Sequence, residues 1–445
     1  MKITKKSLVG LIGVFALLIV LPFLIPTASY VAQFERQASE VLGMPVDIAD
    51  AHIYFLPTPR LTIEDVKVGK SQEVKIASME IIPRMLTLFS EPRSIEVNIN
   101  QPVIKDSALP LIAHLMGSTS NNKARLSVEL TQIQVKELEL QWSTLKLPML
   151  NIQANFTQGM QFLSAEISSD NGQIQANIQP VELGQSIVLK MQAWVMPLSN
   201  PLLVDQGRVE MVLYNNRLDV SQFALQMYGG TINGNAKLDW RKLWHLNGQL
   251  FVKNMSLLAP TKSMSSRMYL GGSLEGNGRF SANAKNAQQL INQLNTECSF
   301  SVNNGVLYGL DLVKLASLLV KQTVKGGQTQ FDTLTGQLAI SGKRYHLKRM
   351  VVSSGLITAK GNVRINEQKK LDGTGEVALK QSAGLVSVPL SISGTLSNPQ
   401  IYPSKAALAG AAVGTAILGP GLGTSLGSKA GSAISGMKDW FGGSD

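Results

Sequence analysis

The side chains best suited to chemistry are few in this chain, and their spacing works against it. Gly423-Thr424-Ser425-Leu426-Gly427 fits the G-x-S-x-G nucleophile elbow. That motif acts where a strand feeds a tight turn and a helix, with an acid and a histidine later in the chain. No histidine follows Ser425, and the flanking residues are a glycine- and alanine-rich repeat, so the match reads as coincidence. The four histidines, His52, His114, His245 and His346, stand far apart and show no ligand spacing such as H-x-x-x-H. With one cysteine, Cys298, the sequence offers no internal disulfide and no thiolate metal cluster. It lies in the alternating run Cys298, Phe300, Val302, where a free cysteine reads as a buried core thiol. Gly342-Lys343 is followed by Arg344 and lacks the earlier glycine of a phosphate loop, and Gly276-Asn277-Gly278 lacks the third glycine of a dinucleotide fingerprint. Acidic residues are too dispersed to nominate an acid–base pair. The expectation is a protein that is not an enzyme, with no catalytic residue, no metal and no cofactor.

The elements around these residues are more informative. A chain of 445 residues has room for two or three compact domains or one elongated repeating structure. Hydrophobic residues make up 44% but charged ones only 16%, so Gln, Asn, Ser, Thr and Gly must fill the polar positions, a composition of sheets and turns. The net charge of +11 comes from scattered basic residues, with no dense block mixed with aromatics. That argues against nucleic acid as a partner and leaves plain solubility or a mild preference for anionic headgroups.

Lys2, Lys5 and Lys6 precede an uncharged apolar run, residues 8–25, opening on Leu8 and ending on Ile25. At about 1.5 Å per residue it measures roughly 27 Å, the thickness of a bilayer core. The lysines place the amino end in the cytoplasm and the rest of the chain outside. A cleaved signal peptide is the competing reading, but the run is long for one, and Thr27-Ala28-Ser29 is a poor cleavage site. Beyond it, Val31, Phe34, Ala38, Val41 and Leu42 share one helical face, which predicts an amphipathic helix lying on the first strands or on headgroups.

From Val46 to about Ile401 the dominant spacing is two, which puts alternate side chains on one face of a sheet. Leu61, Ile63, Val66 and Val68 follow it with one skipped residue, as a bulge would produce. Ile187, Leu189, Met191, Ala193 and Val195 follow it strictly, as do Ile357, Ala359, Gly361, Val363 and Ile365. Asn215-Asn216, Gly229-Gly230, Asn233-Gly234 and Asp372-Gly373 supply turns. Short connections imply antiparallel neighbours with one apolar and one wet face. Short helices are expected at 109–116, 286–294 and 311–320, the last with Asp311 as N-cap. The apolar face must be covered by a second sheet, closed into a barrel, or occupied by ligand, because its exposure at about 25 cal/mol per Å² would be prohibitive. An outer-membrane barrel is disfavoured: many runs are shorter than the roughly 9–11 residues needed, and aromatic girdles are missing. A sandwich core and a curled apolar trough both remain.

From Ala406 onward the composition turns to Gly, Ala and Ser, with small-xxx-small spacing at Gly410 and Gly414 and at Gly423 and Gly427. Met437, Trp440 and Phe441 could anchor at an interface. The segment reads either as a flexible tail or as a contact for membrane or an outer-membrane or protein partner.

Two stretches carry a family resemblance. VLGMPVDIADAHIYFLPTPRLTIEDVKVG, from Val41 to Gly69, and SIEVNINQPVIKD, from Ser94 to Asp106, resemble the first strands after the anchor in the AsmA-like family of Gram-negative envelopes. The run from Leu274 to Leu319 resembles that family's carboxy-terminal block, and SISGTLSNPQIYP, from Ser391 to Pro403, its close. The resemblance implies a mainly β fold: an N-terminal transmembrane helix, then an elongated, curled antiparallel β-sheet, or β-groove, with a few short helices and a Gly/Ala-rich C-terminal segment. It implies an inner-membrane, single-pass protein with its bulk in the periplasm, moving phospholipid for outer-membrane homeostasis. About twenty strands at roughly 4.8 Å reach on the order of 100 Å, short of an unaided envelope crossing.

The expected organisation is an anchor at 1–29, an N-terminal β region with the amphipathic helix at 30–120, a central β region at 121–270, a C-terminal β region at 271–404 and the tail at 405–445. Val135, Leu140, Leu189, Leu213, Leu338, Ile340, Val363, Ile365, Leu390 and Ile392 are, by parity, the candidate lipid-lining residues. A non-enzymatic scaffold or assembly factor for outer-membrane proteins, with a dry core, is the rival class.

Overall fold

The computed structural model describes residues 28–87, 91–108, 128–142, 145–157, 159–196, 201–265, 267–317, 326–380, 387–405 and 407. The apolar run at 8–25, the expected helix at 109–116 and nearly all of the glycine-rich tail lie outside them. No helix among the described residues is long and apolar enough to cross a membrane.

The protein is mainly β, as its spacing predicts. It forms two compact units, whose division near residue 200 falls inside the expected central region. Unit 1 opens with helix α1 (Ala28–Leu42) and continues through β1 (Val46–Tyr54), β2 (Arg60–Val68), β3 (Val74–Pro83), β4 (Arg93–Lys105), β5 (Val128–Trp142), the two-residue β6 (Leu145–Lys146), β7 (Leu150–Phe156), β8 (Phe162–Ser169), β9 (Ile174–Val181) and β10 (Gly184–Met196). Strand β11 (Leu202–Tyr214) contributes its residues from Val212 on to unit 1. Unit 2 contains β12 (Arg217–Met227), β13 (Gly230–Asp239), β14 (Trp244–Ser256), helix α2 (Leu258–Met264), β15 (Tyr269–Ala284), β16 (Asn295–Tyr308), helix α3 (Leu312–Ser317), β17 (Gln328–Ser341), β18 (Arg344–Ser353), β19 (Ile357–Ile365), β20 (Leu371–Leu379), β21 (Ser387–Thr395) and β22 (Asn398–Pro403).

Within each unit, strands pair with their chain neighbours, except that β5 reaches past the two-residue β6 to β7, and all of these pairs but one are antiparallel. Strands β4 and β5 are parallel, with Ile99 opposite Val135 and Ile104 opposite Leu140. The expectation of antiparallel order throughout fails there for a simple reason. The connection from Asp106 to residue 127 is long enough to carry the chain back to the end where β4 began, which a tight turn cannot do.

The skipped residue in β2 is Asp65, in the left-handed region at φ 48°. Gln101 in β4 and Glu137 in β5 adopt the same conformation at 49° and 56°, so the alternation changes phase at matching levels on neighbouring strands and their pairing survives.

Helix α1 sits where expected, with Val31 and Leu42 packed on the cluster of Ile48, Ala51, Ile63, Val66 and Val68. Phe34 on the same helix stays 40% exposed. Helix α3 starts as expected, with the Asp311 carboxylate accepting from the Lys314 N–H at 2.8 Å. The stretch at 286–294 forms two 3-10 turns instead of a helix, capped by the Asn286 side chain. Helix α2 has no clear periodic signal; Thr261 Oγ1 accepts from the Leu270 N–H at 3.0 Å and ties it to β15.

Candidate functional site: an apolar sheet face

Directly opposed residues in a ladder point to the same side of the sheet. Strand registers therefore show which side chains share a surface. In unit 1 one such row runs from Ala51 through Ile63, Met79 and Ile99 to Val135, then through Ile152, Ile167 and Ala176 to Leu189. A second, two residues away, runs from Ile53 to Ile187 and is apolar at every strand it crosses. The reverse side carries His52, Thr62, Glu80, Asn98, Gln134 and Gln153 in the same unbroken fashion.

Unit 2 repeats the arrangement across β12 to β22. Phe223, Gly234, Leu250, Gly278, Cys298 and Leu338 are in register, and the row continues through Leu347, Val363, Gly373, Ile392 and Ile401. Opposite it, on the wet side, lie Gln249, Arg279, Glu297, His346, Arg364 and Asp372.

Nine of the ten candidate lining residues fall on these surfaces; Leu213 is the exception, as no strand register assigns it to a row. Val135 and Leu189 share one row, and Leu140 faces the same way through Ile104, Val74 and Val68. Leu338, Val363 and Ile392 share another row, Ile340 and Ile365 the row beside it, joined through Tyr345, and Leu390 the row on the other side. Leu213, half-buried, runs alongside Gly184 in unit 1. Two groups form, one per unit.

Burial separates covered from open stretches. In unit 2, Leu310 and Leu312 at the start of α3 pack on Ile357, Val377, Val388 and Leu390, all at most 6% exposed. Leu390 is thus sealed by the chain itself. Away from α3, Leu338, Ile340, Ile365 and Ile392 are half-buried, as are Ile99, Val135, Ile152 and Ile167 away from α1. A side chain crowded by sheet neighbours but with nothing stacked above it has this intermediate exposure.

Unit 2 also curls. Arg267, just before β15, donates to the Asn398 side-chain carbonyl in β22 at 2.6 Å. Seven ladder steps separate those strands, about 34 Å if the sheet were flat. Met268 and Ile401 from the same two places join the cluster around α3. The apolar face is therefore the inside of the curl, and α3 stops one end. A cleft of about 520 Å³ opens at this seam, lined by Met268, Leu310 and Ile401 with Arg267 and Asn398 at its rim.

Sequence reasoning missed the glycines on this inner face. A Cβ on Gly234, Gly248 or Gly305 would strike the ring of Phe223, Phe280 or Phe331 on the adjacent strand, and one on Gly336 would come within 2.8 Å of Phe300 Cζ. Each ring lies over a glycine, so aromatic surface replaces the missing side chain and keeps the floor low. The available signal was glycine at apolar parity, as at Gly361 between Ala359 and Val363, but the partner rings come from other strands.

On the wet side of unit 1, His52 Nε2 lies 3.2 Å from the Asp50 carboxylate, and among the described residues no group of three His, Cys, Asp or Glu side chains could hold a metal. Cys298 is half-buried on the inner face, and burial pushes its thiol above the ordinary cysteine range. No protein-family model matches the chain, and no curated protein matches it either.

Proposed function

We propose that the chain is a lipid carrier that holds acyl chains against the apolar face of each unit and so binds or transfers phospholipid. The observation that carries this reading is the set of apolar rows that cross nine strands in unit 1 and eleven in unit 2, half-buried away from the one helix, α1 or α3, that covers part of each. Burying a hydrocarbon tail there gains about 0.8 kcal/mol per CH₂ and requires no base, nucleophile or metal. The stop formed by α3 and the curl of β15 to β22 give unit 2 the form of a trough. The resemblance to AsmA-like proteins supports the same reading and adds its setting: an anchor at residues 8–25, the remainder in the periplasm, and a role in outer-membrane homeostasis. An interface that holds lipid by burial is not an enzyme active site.

Mass spectrometry of lipid retained by the full chain tests the proposal. Phospholipid should co-purify with the wild type and fall at least several-fold in a Val135→Asp, Leu338→Asp, Ile392→Asp variant. Cys298 supplies a readout that needs no substitution: loading with phosphatidylethanolamine should slow its alkylation by maleimide, because the thiol lies in the occupied surface. Lipid-free wild-type protein, an alkylation rate indifferent to lipid, or purification as a stable protein complex without lipid would sink the carrier reading, and the last would favour a scaffold.

A further inference from the structure

The wet side of unit 2 carries a second feature, independent of the apolar face. Arginines in the described chain are commonly matched to carboxylates: Arg60 to Glu80, Arg84 to Glu96, Arg208 to Glu210, Arg217 to Asp219 and Arg241 to Asp239. Lys348, Arg349 and Arg364 make no ion pair among the described residues, although they stand together. They line one concavity of about 420 Å³ with His346, Asn362 and Thr374, in which Asp372 is the single acid among the described lining residues.

The backbone is shaped to bring them there. Lys348 and Arg349 are consecutive, and regular alternation would send one of them through to the apolar face. Instead Arg349 takes a left-handed conformation at φ 50°, its N–H held at 2.8 Å by the Asn362 side-chain carbonyl. The ladder shifts at this point against both flanking strands. Both basic side chains consequently line the same concavity, while Leu347 and Met350 stay on the apolar side beside Val363 and Gly361. Bulges re-aim side chains in this way at the cost of local strain.

The geometry points to a phosphate-binding site on the outer face of β18 to β20, with Lys348, Arg349 and Arg364 as its cations and Asn362 and Thr374 as neutral donors. Guanidinium forks match phosphate oxygens in geometry as well as charge. Asp372 opposite Arg364 repels a carboxylate or phosphate from one flank and so directs the anion toward β18. The site can be filled by an anionic lipid headgroup at a bilayer surface or by a soluble phosphate.

His346 reports on it. Burial and the neighbouring Arg364 and Lys348 push its imidazole below the ordinary histidine value. The other charged groups facing this region are Arg349, Asp372 and, on the same strand, Arg344, which is 3.8 Å from Glu367; Ala339 opposes His346 on β17, and beyond it Glu297 and Arg279 line an adjoining cleft with Lys348 and Arg349. A bound dianion favours the protonated ring and moves its titration upward. In the full chain labelled with 13C at histidine Cε1, four resonances are expected, and His346→Gln assigns the relevant one. The His346 midpoint should lie about half a pH unit higher in inorganic phosphate than in chloride of equal ionic strength. Arg349→Gln with Arg364→Gln should raise the midpoint in chloride and remove the difference between the salts. In phosphate-free nanodiscs, a higher midpoint with phosphatidylglycerol than with phosphatidylcholine assigns the lipid source; no difference there, with the response to inorganic phosphate intact, assigns the soluble one. A wild-type midpoint unmoved by inorganic phosphate and by phosphatidylglycerol overturns the site, whatever the lipid content of the apolar face.

Discussion

Unit 1 and unit 2 solve the same problem with different side chains. In unit 1 the apolar face is built mainly from Ile, Val, Leu and Met on successive strands, with alanine at Ala51, Ala154, Ala165 and Ala176. In unit 2 glycines alternate with large residues across the ladder: Gly276 with Phe300 and Gly336, then Gly361 and Gly375 before Leu390. The first makes a tall aliphatic surface of β-branched side chains that suit a pleated sheet. The second makes a thin floor over which aromatic rings fold flat. Unit 2 is also the one in which strands β15 and β22 are drawn together, and a curled sheet has less room on its inside. Glycine on the concave side makes room for that curvature.

The sharpest way to break the comparison is to place one charge on a covered stretch and another on an open one. Val377 is fully buried under α3, so Val377→Asp leaves an unpaired carboxylate in a dry cluster and should cost about 3–5 kcal/mol or abolish folding of unit 2. Ile152 is half-buried on the open row of unit 1, and Ile152→Asp should cost about 1–2 kcal/mol, the carboxylate reaching water past its neighbours. Urea denaturation of both variants decides; equal losses would mean that the open rows are in fact packed core. The next effect concerns the floor itself. Gly336→Val drives a side chain into Phe300 and Met350 and should lose about 1–3 kcal/mol. Ala154→Val, on the corresponding surface of unit 1 between Ile133 and Ala165, should stay within about 0.5 kcal/mol. If Gly336→Val proved neutral, the rings would be free to lift and the flat floor would have no structural meaning.

Much of this was legible in the residues and some was not, for physical reasons. The pleat makes period two visible in a single strand, so the parity that chose Val135, Leu338 and Val363 placed them correctly on the apolar side. The phase change at Asp65 was legible too, from one skipped residue between Ile63 and Val66, but it is not the expected bulge: β2 keeps one-to-one register with β1 and β3, and the left-handed Asp65 makes the change. Features that depend on register between distant segments were not legible: Gly305 meets Phe331, and Arg267 meets Asn398, only through the topology. Leu390 obeys the same parity as Ile392 yet is sealed by α3, because parity reports the face and says nothing of what lies on it. The parallel pairing of β4 and β5 left no local signature, since its cause is the length of a connection. Lys348-Arg349 misleads a strict alternation for the opposite reason: a left-handed residue costs little enough in free energy to be hidden in the sequence.

The smallest expected effect tests how each unit holds its covering helix. Strand β1 is paired on one side with β2, and on its other side the N–H groups of Val46 and Ile48 donate to Ser39 Oγ at 2.9 Å and Glu35 Oε1 at 2.8 Å, so α1 both covers the apolar cluster and satisfies the strand. In unit 2 the same task falls to Thr329, 2% exposed, whose hydroxyl accepts from the Leu312 N–H and donates to the Leu310 carbonyl, each at 2.8 Å. Thr329→Val keeps the shape and strands two buried polar groups, for about 2 kcal/mol. Glu35→Ala frees a donor near solvent and should cost about 0.5–1 kcal/mol, with Glu35→Gln nearly neutral because an amide oxygen can still accept. Hydrogen exchange locates the loss: the Ile48 amide should lose protection in Glu35→Ala while amides of β7 and β8 do not, and the Leu312 amide should lose more in Thr329→Val. Equal losses at the two amides would mean that α1 is as integral to its sheet as α3 is to the curl, and that the two units differ in side chains alone.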